Sequence, residues 1–286
     1  MKGGIHGMLQ IRLMTSGDIV HGMRLKQQAG WNQTEADWQR FLKLQPDGCF
    51  IGEFQGRPVA TGTTCVLDRE GWIGMILVDE SMRRRGFGTR MMRHCLEHLA
   101  RLGVEAARLD ATPLGRPLYE KLGFVPEYEL VRMEGAACKQ PPHPYIEPVN
   151  AKRLNEVLSL DREIRWRDRY RLLKCLYEEN PAAMHVFVAD GRVRGYVTWR
   201  QGMHATQIGP AVALDAEAGR ALCDAALTHC PPKRVFVDIP IDNKACIDWA
   251  ASCGLIVQRP LIRMCRGKRR NDQPALQWAS SGPEKG

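Results

Sequence analysis

The stretch Trp72-Ile73-Gly74-Met75-Ile76-Leu77-Val78-Asp79-Glu80-Ser81-Met82-Arg83-Arg84-Arg85-Gly86-Phe87-Gly88-Thr89 decides the fold. Its apolar run, Trp72 to Val78, reads as a buried strand. Asp79 and Glu80 break the run, and a short loop with three arginines and two glycines follows. Beyond it, Arg90 to Leu102 reads as a helix with Met91, Met92, Cys95, Leu96 and Leu99 on one face. A strand, a basic glycine loop and a helix N-terminus in that order make an anion site. The first amides of a helix lack intrahelical partners and carry the positive end of its dipole. Glycines let the backbone approach a phosphate, and arginines add charge and donors. A pyrophosphate-bearing ligand fits such a loop. A Walker loop would end in Gly-Lys-Ser/Thr, and a dinucleotide fingerprint would put a third glycine at position 91, where Met91 stands. Taken alone, the loop also fits a solvated basic turn that caps a helix.

Working outward, Leu9 to Met14 reads as a first strand, Ile19 to Gln28 and Glu35 to Leu44 as helices, and Thr34 as the cap of the second. Cys49 to Phe54 and Val59 to Leu67 form a hairpin across Gln55-Gly56-Arg57-Pro58. After the long helix, Ala107 to Ala111 is a strand. Pro117 opens a short helix that ends at Leu122 and Gly123. Phe124-Val125 and Leu130 to Met133 are further strands.

Val78-Asp79, Arg83-x-x-Gly86-x-Gly88 and Leu118-Tyr119-Glu120-Lys121-Leu122-Gly123-Phe124, at this spacing, resemble the GNAT superfamily of acetyl-CoA-dependent N-acetyltransferases. The resemblance covers roughly residues 9 to 134. It implies an α/β fold (a mixed, mostly antiparallel central sheet flanked by helices). It implies that the coenzyme pyrophosphate lies on Arg83, Arg84, Arg85, Gly86, Phe87, Gly88 and Thr89, and that the pantetheine arm bonds to the strand at Ile76, Leu77 and Val78. Thr112, where members often carry asparagine, joins the coenzyme set; Arg116 either reaches a phosphate and joins it too or is simply exposed. Gly115 stands where alanine is frequent. Tyr119, next to the coenzyme sulfur in the family, is expected both to touch the coenzyme and to act as general acid. Trp31, Asn32 and Gln33 flank the acceptor side, although Trp31 fits equally as an apolar support beneath its loop.

No general base stands out. Asp110, Glu80 and Glu127 are candidates, and a water-mediated base is an equal alternative. Asp110 ends a core strand, where an unpaired carboxylate is costly. That assigns it a role, either binding the amine or holding a loop.

The second half repeats the first. Strands at Tyr145 to Val149, Met184 to Ala189, Arg194 to Arg200, Thr206 to Leu214 and Val235 to Ile239 alternate with helices at Arg153 to Leu160, Arg167 to Glu179, Ala216 to Thr228 and Lys244 to Ser252. Gly254-Leu255 corresponds to Gly123-Phe124, and Asn243 to Thr112. Ile208-Gly209-Pro210 and Asp238-Ile239-Pro240 resemble the divergent C-terminal domain of tandem GNAT proteins. The counterpart of the arginine loop is the short acidic run Asp215 to Arg220, and Ala250 stands for Tyr119. The second domain reads as catalytically empty. The expected organisation is a catalytic domain at 1–134, a linker at 135–143, a degenerate domain at 144–267 and a disordered tail at 268–286.

Composition bounds the rest. The 286 residues suit two domains, and no run approaches the ~20 apolar residues of a membrane span. Met1 to His6 has no apolar signal core, and the expected location is cytoplasmic. Ten scattered cysteines, with no Cys-x-x-Cys pair, read as reduced thiols, and no metal site is expected. A net charge of +9 suits coenzyme A, an anionic cofactor. It also raises nucleic acid, with Arg263, Arg266, Lys268, Arg269 and Arg270 as the basic cluster, but no recognised motif supports that reading. The expected partner is an amine acceptor, a small molecule ahead of a protein, with the chain a monomer or homodimer. A non-catalytic acetyl-CoA sensor is the alternative, and the intact Tyr119 speaks against it.

Overall fold

The structure is a computed structural model that describes residues 8–165, 168–230, 234–269 and 272–286. Expectations placed on Met1 to His6, Arg167 and Arg270 lie outside the described residues. The chain divides into two compact units, Met1–Arg108 with Lys285 and Leu109–Glu284 with Gly286.

The first unit comprises β1 (Gln10–Leu13), α1 (Ile19–Gln28), α2 (Glu35–Leu44), β2 (Cys49–Phe54), β3 (Arg57–Leu67), β4 (Glu70–Val78), α3 (Phe87–Arg101) and the start of β5 (Ala106–Ala111). The strands follow one another in sheet order, antiparallel up to β4, and β5 joins β4 in parallel after the α3 crossover. Gln55 and Gly56, with φ of +51° and +72°, make the two-residue turn that the right-handed twist of a hairpin favours. At the start of α2 the Thr34 amide donates to Asp37 Oδ2 at 2.9 Å, which satisfies one of the end groups a helix leaves over. Trp38 and Phe41 of α2 pack with Ile19, Leu25, Ile51, Met75 and Leu77 in one core cluster. Burial of each large side chain there contributes about 1.5–3 kcal/mol. Gly22 of α1 admits the Trp38 ring, since a Cβ at that position would lie 2.8 Å from it.

The second unit continues with α4 (Arg116–Lys121), β6 (Val125–Ala136), β7 (Ile146–Pro148), α5 (Ala151–Arg165), α6 (Tyr170–Glu179), β8 (Met184–Ala189), β9 (Arg192–Arg200), β10 (Thr206–Ala213), α7 (Ala216–His229), β11 (Arg234–Pro240), α8 (Lys244–Ser252), β12 (Ile256–Gly267) and β13 (Gln277–Ala279). Its strands run β12-β6-β11-β10-β9-β8-β7, and β13 pairs with β10. From β7 through β12 the order of strands and helices repeats that from β1 through β6. The core of this unit gathers Phe187, Val197, Ile208, Leu222, Val237, Trp249 and Trp278.

Two expectations need correction. The two short strands at Phe124-Val125 and Leu130 to Met133 are one strand, β6, paired on one edge with β11 and on the other with β12. Both partners lie in the second unit, and the compact units divide between Arg108 and Leu109 of β5. β12 itself was not read from the sequence, because Gln258, Arg259 and Pro260 interrupt its apolar pattern. Residues 272–286 are not a free tail. Gln277, Trp278, Ala279, Ser280 and Ser281 are buried, and β13 is hydrogen-bonded to β10. All ten cysteines are thiols. Among the described residues no helix is long and apolar enough to cross a membrane.

Candidate functional site

β4 is irregular where ligand contacts are expected. Thr61 faces Leu77 and Thr63 faces Gly74, so three steps on β4 span two on β3. The extra residue is a bulge, which re-aims the backbone locally. It puts Met75 at φ +52°, a conformation that costs a non-glycine residue about 1–2 kcal/mol. The Thr61 hydroxyl donates to the Met75 carbonyl at 2.8 Å in the core and fixes the bulge. On its other edge β4 pairs with β5 only from Glu70 to Trp72. Among the described residues, no strand of the first unit pairs with that edge from Ile73 to Val78, which includes the expected ligand residues Ile76, Leu77 and Val78.

The loop after β4 is held at its base. Asp79 accepts from the Arg24 guanidinium, and from the Ser81 amide and hydroxyl at 3.1 and 2.7 Å. Burial alone would raise its carboxyl, but Arg24 and Ser81 outweigh burial and hold it down at about 2. Gln28, one turn further along α1, accepts from the Glu80 amide at 3.3 Å. Arg83 Nε reaches the Val78 carbonyl at 3.3 Å. Arg84 has φ +64° and Gly86 φ +79°, so the chain passes twice through the left-handed region before α3. Phe87 is buried against Phe54 with ring centroids 5.3 Å apart, and the Arg85 guanidinium lies over the same Phe54 ring. Phe87 thus anchors the first turn, while Arg83, Arg84, Arg85 and Gly86 are exposed.

The N-cap of α3 is Gly86, with no side-chain cap. The first amides of a helix have no intrahelical partner, and here those belong to Phe87, Gly88 and Thr89. They lie beside three exposed arginines, a donor set that suits a pyrophosphate. Sequence reasoning missed Arg24, Gln28 and Thr61. Arg24 and Gln28 are four residues apart on one helix face, which is a spacing that makes them neighbours but names no partner.

The loop expected on the acceptor side follows α1. Trp31 is half-buried and packs on the core cluster of Trp38 and Phe41. Its amide donates to the Lys26 carbonyl at 3.1 Å, and Lys26 Nζ donates to the Trp31 carbonyl at 3.2 Å. Asn32 is buried and Gln33 half-buried. Part of the Trp31 indole therefore packs on the core beneath its loop.

In the second unit, Thr112 closes the turn into α4. Its carbonyl accepts from the Gly115 and Arg116 amides, both at 3.0 Å, and its hydroxyl accepts from Gly115 at 3.3 Å. Arg116 pairs with Glu120 at 2.6 Å on the helix surface. Tyr119 is half-buried, edge-on to Phe124 with centroids 6.1 Å apart. Gly115 leaves room for its ring, since a Cβ there would lie 3.0 Å from Tyr119.

Asp110 has a structural partner. Arg263 of β12 donates to its two oxygens at 2.8 and 2.9 Å, with both side chains fully buried. Arg263 also reaches the Tyr128 hydroxyl at 2.6 Å, and Tyr128 donates to Asp272 at 2.9 Å. The role these contacts support is holding strands together, and not taking a proton from an amine. Removing one partner of a buried ion pair costs about 3–5 kcal/mol. Asp110→Asn should therefore lower the denaturant midpoint by a corresponding amount and leave the turnover rate of the folded protein unchanged. A fully stable variant with lost turnover would return Asp110 to the chemistry.

Two family models match, one described as the acetyltransferase (GNAT) family over residues 21–124 and one as an acetyltransferase (GNAT) domain over residues 157–278. The chain belongs to the GNAT family, with two domains in tandem. It is an N-acetyltransferase of that family by these matches and by its relatives. Holothin acyltransferase of Pseudoalteromonas sp. (strain SANK 73390) is 27% identical over 245 residues, which is 83% of this chain and 81% of that protein. The uncharacterized N-acetyltransferase YitH of Bacillus subtilis (strain 168) is also 27% identical over 245 residues, 81% of this chain and 82% of its own. In fold, the GNAT chain resembles a structure from Pyrococcus horikoshii described as a candidate acetyltransferase. The TM-score is 0.85 at 24% identity, over 100% of this chain and 99% of the other. A GCN5-related N-acetyltransferase from Sphaerobacter thermophilus gives a TM-score of 0.67 at 15% identity, over 93% and 98% of the two chains.

Proposed function

We propose that this GNAT protein moves an acetyl group from acetyl-CoA to a primary amine, with one active site, in the GNAT domain matched over residues 21–124 and called here the first domain. The observation that carries the reading is the contrast between two helix N-termini. α3 begins at Gly86 without a side-chain cap and beside exposed Arg83, Arg84 and Arg85. α7, its counterpart in the second domain, begins at Asp215, whose carboxylate accepts from the Ala218 amide at 2.9 Å and pairs with Arg194. An anion is welcome at the first and excluded from the second by a charge already in place.

When bound, acetyl-CoA supplies an activated thioester. In this reading the amides of Phe87, Gly88 and Thr89 and the three arginines hold the pyrophosphate. The open edge of β4 at Ile76 to Val78 bonds the pantetheine arm and offers a backbone donor to the carbonyl oxygen. Tyr119 donates the proton that the departing thiolate requires. This assignment is supported by the family motif around Tyr119, with direct attack by the neutral amine, whose surplus proton passes to water as the amide forms. Trp31, Asn32 and Gln33 border the acceptor. A small-molecule amine is the favoured acceptor, and holothin, named in one relative, belongs in the first panel of amines.

Isothermal titration with acetyl-CoA is expected to give one site per chain. Two equivalent sites would show that the capped helix of the second domain binds the coenzyme as well, and would sink the single-site reading. Release of coenzyme with at least one amine of a broad panel separates an enzyme from a coenzyme sensor.

A further inference from the structure

The second unit repeats the irregular geometry of β4 and then fills it. β10 pairs in parallel with β11 from Thr206 to Ile208, as β4 pairs with β5 from Glu70 to Trp72. Against β9, Ile208 faces Trp199 and Ala211 faces Val197, again three steps against two. Both strands therefore carry a bulge just past the end of a short parallel ladder. Beyond the bulge, the edge of β10 is taken by β13. Ala211 pairs with Ala279 and Val212 with Gln277, in antiparallel sense.

The segment also engages the other side of the splay. The Ser280 amide donates to the Asp238 carbonyl of β11 at 2.8 Å. Asn243, the N-cap of α8, donates from Nδ2 to the Gln277 carbonyl at 3.1 Å, and the Cys246 thiol meets the Trp278 carbonyl at 3.1 Å. The Trp278 indole lies against Gly219 in the first turn of α7, where a Cβ would overlap the ring. Further along, Glu284 accepts from Arg200 at 2.8 Å and the Gly286 carbonyl accepts from Arg169 at 2.8 Å.

We infer that Gln277 to Glu284 is a built-in occupant of the second domain's cleft, standing where the first domain would receive the pantetheine arm, and that it closes this domain to acyl-CoA. The inference rests on the reading that β4 receives the coenzyme. Pantetheine carries two amide groups along an extended chain, and a strand offers the same donors and acceptors at a rise of about 3.3 Å per residue. β13 thus satisfies the edge of β10 as a ligand would, by strand addition, with Trp278 as the anchor in a pocket. Gly219 is the concession that α7 makes to that anchor, and the Asp215 carboxylate stands at the helix end where a phosphate would otherwise lie.

A protease site inserted after the exposed Lys268 tests this in the whole protein. After cleavage, the C-terminal fragment is expected to stay bound through gel filtration, with the thermal midpoint close to that of the uncut chain. A fluorescent peptide of residues 272–286 should exchange into the cut protein, and the same peptide with Trp278→Ala should bind at least about 100-fold more weakly. In the uncut chain, amides 277–281 should exchange as slowly as those of β10. Loss of the fragment without a fall in the thermal midpoint, equal binding of the Trp278→Ala peptide, or exchange of 277–281 at the rate of an unstructured peptide would each overturn the inference. Acetyl-CoA titration of the same samples keeps the two readings apart. No coenzyme site at all would defeat the first-domain reading, whatever the peptide does.

Discussion

Tyr119→Phe is expected to lower the single-turnover rate of acetyl transfer by about 10²–10⁴ while leaving acetyl-CoA affinity nearly unchanged. The substitution removes a hydroxyl and almost no volume. The ring keeps its edge-on contact with Phe124 and its place over Gly115, so α4 and its packing survive. What disappears is a proton donor. A phenol of pKa ~10 facing a thiol of pKa ~8.5 is a weak acid for the task, so its contribution depends on placement and on donation late in bond cleavage. Single-turnover measurement is required because slow product release would hide a slower chemical step. A Tyr119→Phe protein with the wild-type single-turnover rate would remove Tyr119 from the mechanism. Water or the backbone would then have to serve the leaving group. A wild-type protein that turns over no amine while binding acetyl-CoA would identify a sensor.

The sequence made the first unit legible because its elements are local. α1, α2 and β2 fall where periodicity and turn residues put them, from Ile19 to Gln28, Glu35 to Leu44 and Cys49 to Phe54. Helix α3 begins three residues earlier than its apolar face suggests, because Phe87 is pinned by Phe54, a partner 33 residues away that no window contains. The losses in the second unit have the same origin. β12 buries Arg263, and a charge in a core strand contradicts the apolar pattern until Asp110, 153 residues earlier, is seen to pair with it. β13 is a polar string around Trp278. It is ordered by backbone bonds to β10 and by Asn243, and neither leaves a trace in hydrophobic periodicity. The arginine loop was readable as an anion site because glycine and arginine declare it chemically. Its support by Arg24 and Gln28 was not, nor was the bulge that Thr61 fixes, since these residues act through bonds to partners far along the chain. Trp31 shows the limit from the other side. The family's spacing puts it near the acceptor, whereas its packing on the Trp38 cluster shows that much of its surface serves the core.

Gly86→Glu is expected to weaken acetyl-CoA binding by at least about 100-fold without unfolding the chain. Gly86 is exposed, and a Cβ built on it meets nothing within 4 Å, so the side chain has room. Two costs remain. The first is conformational: φ is +79° at this residue, and a side chain there costs about 1–2 kcal/mol. The second is electrostatic. A carboxylate at the N-cap of α3 would sit at the positive end of the helix and accept from the amides proposed to hold the pyrophosphate. It would do to the first domain what Asp215 already does to the second, where the carboxylate takes the Ala218 amide. Gly86→Ala separates the two costs, because it carries the same backbone strain with neither length nor charge. Its affinity should fall by no more than about 10-fold, the equivalent of roughly 1.4 kcal/mol. The remaining loss in Gly86→Glu then measures competition for the helix end. A folded Gly86→Glu protein with unchanged affinity would place the coenzyme elsewhere, and equal losses in the two variants would assign the effect to strain in the loop and not to the anion site.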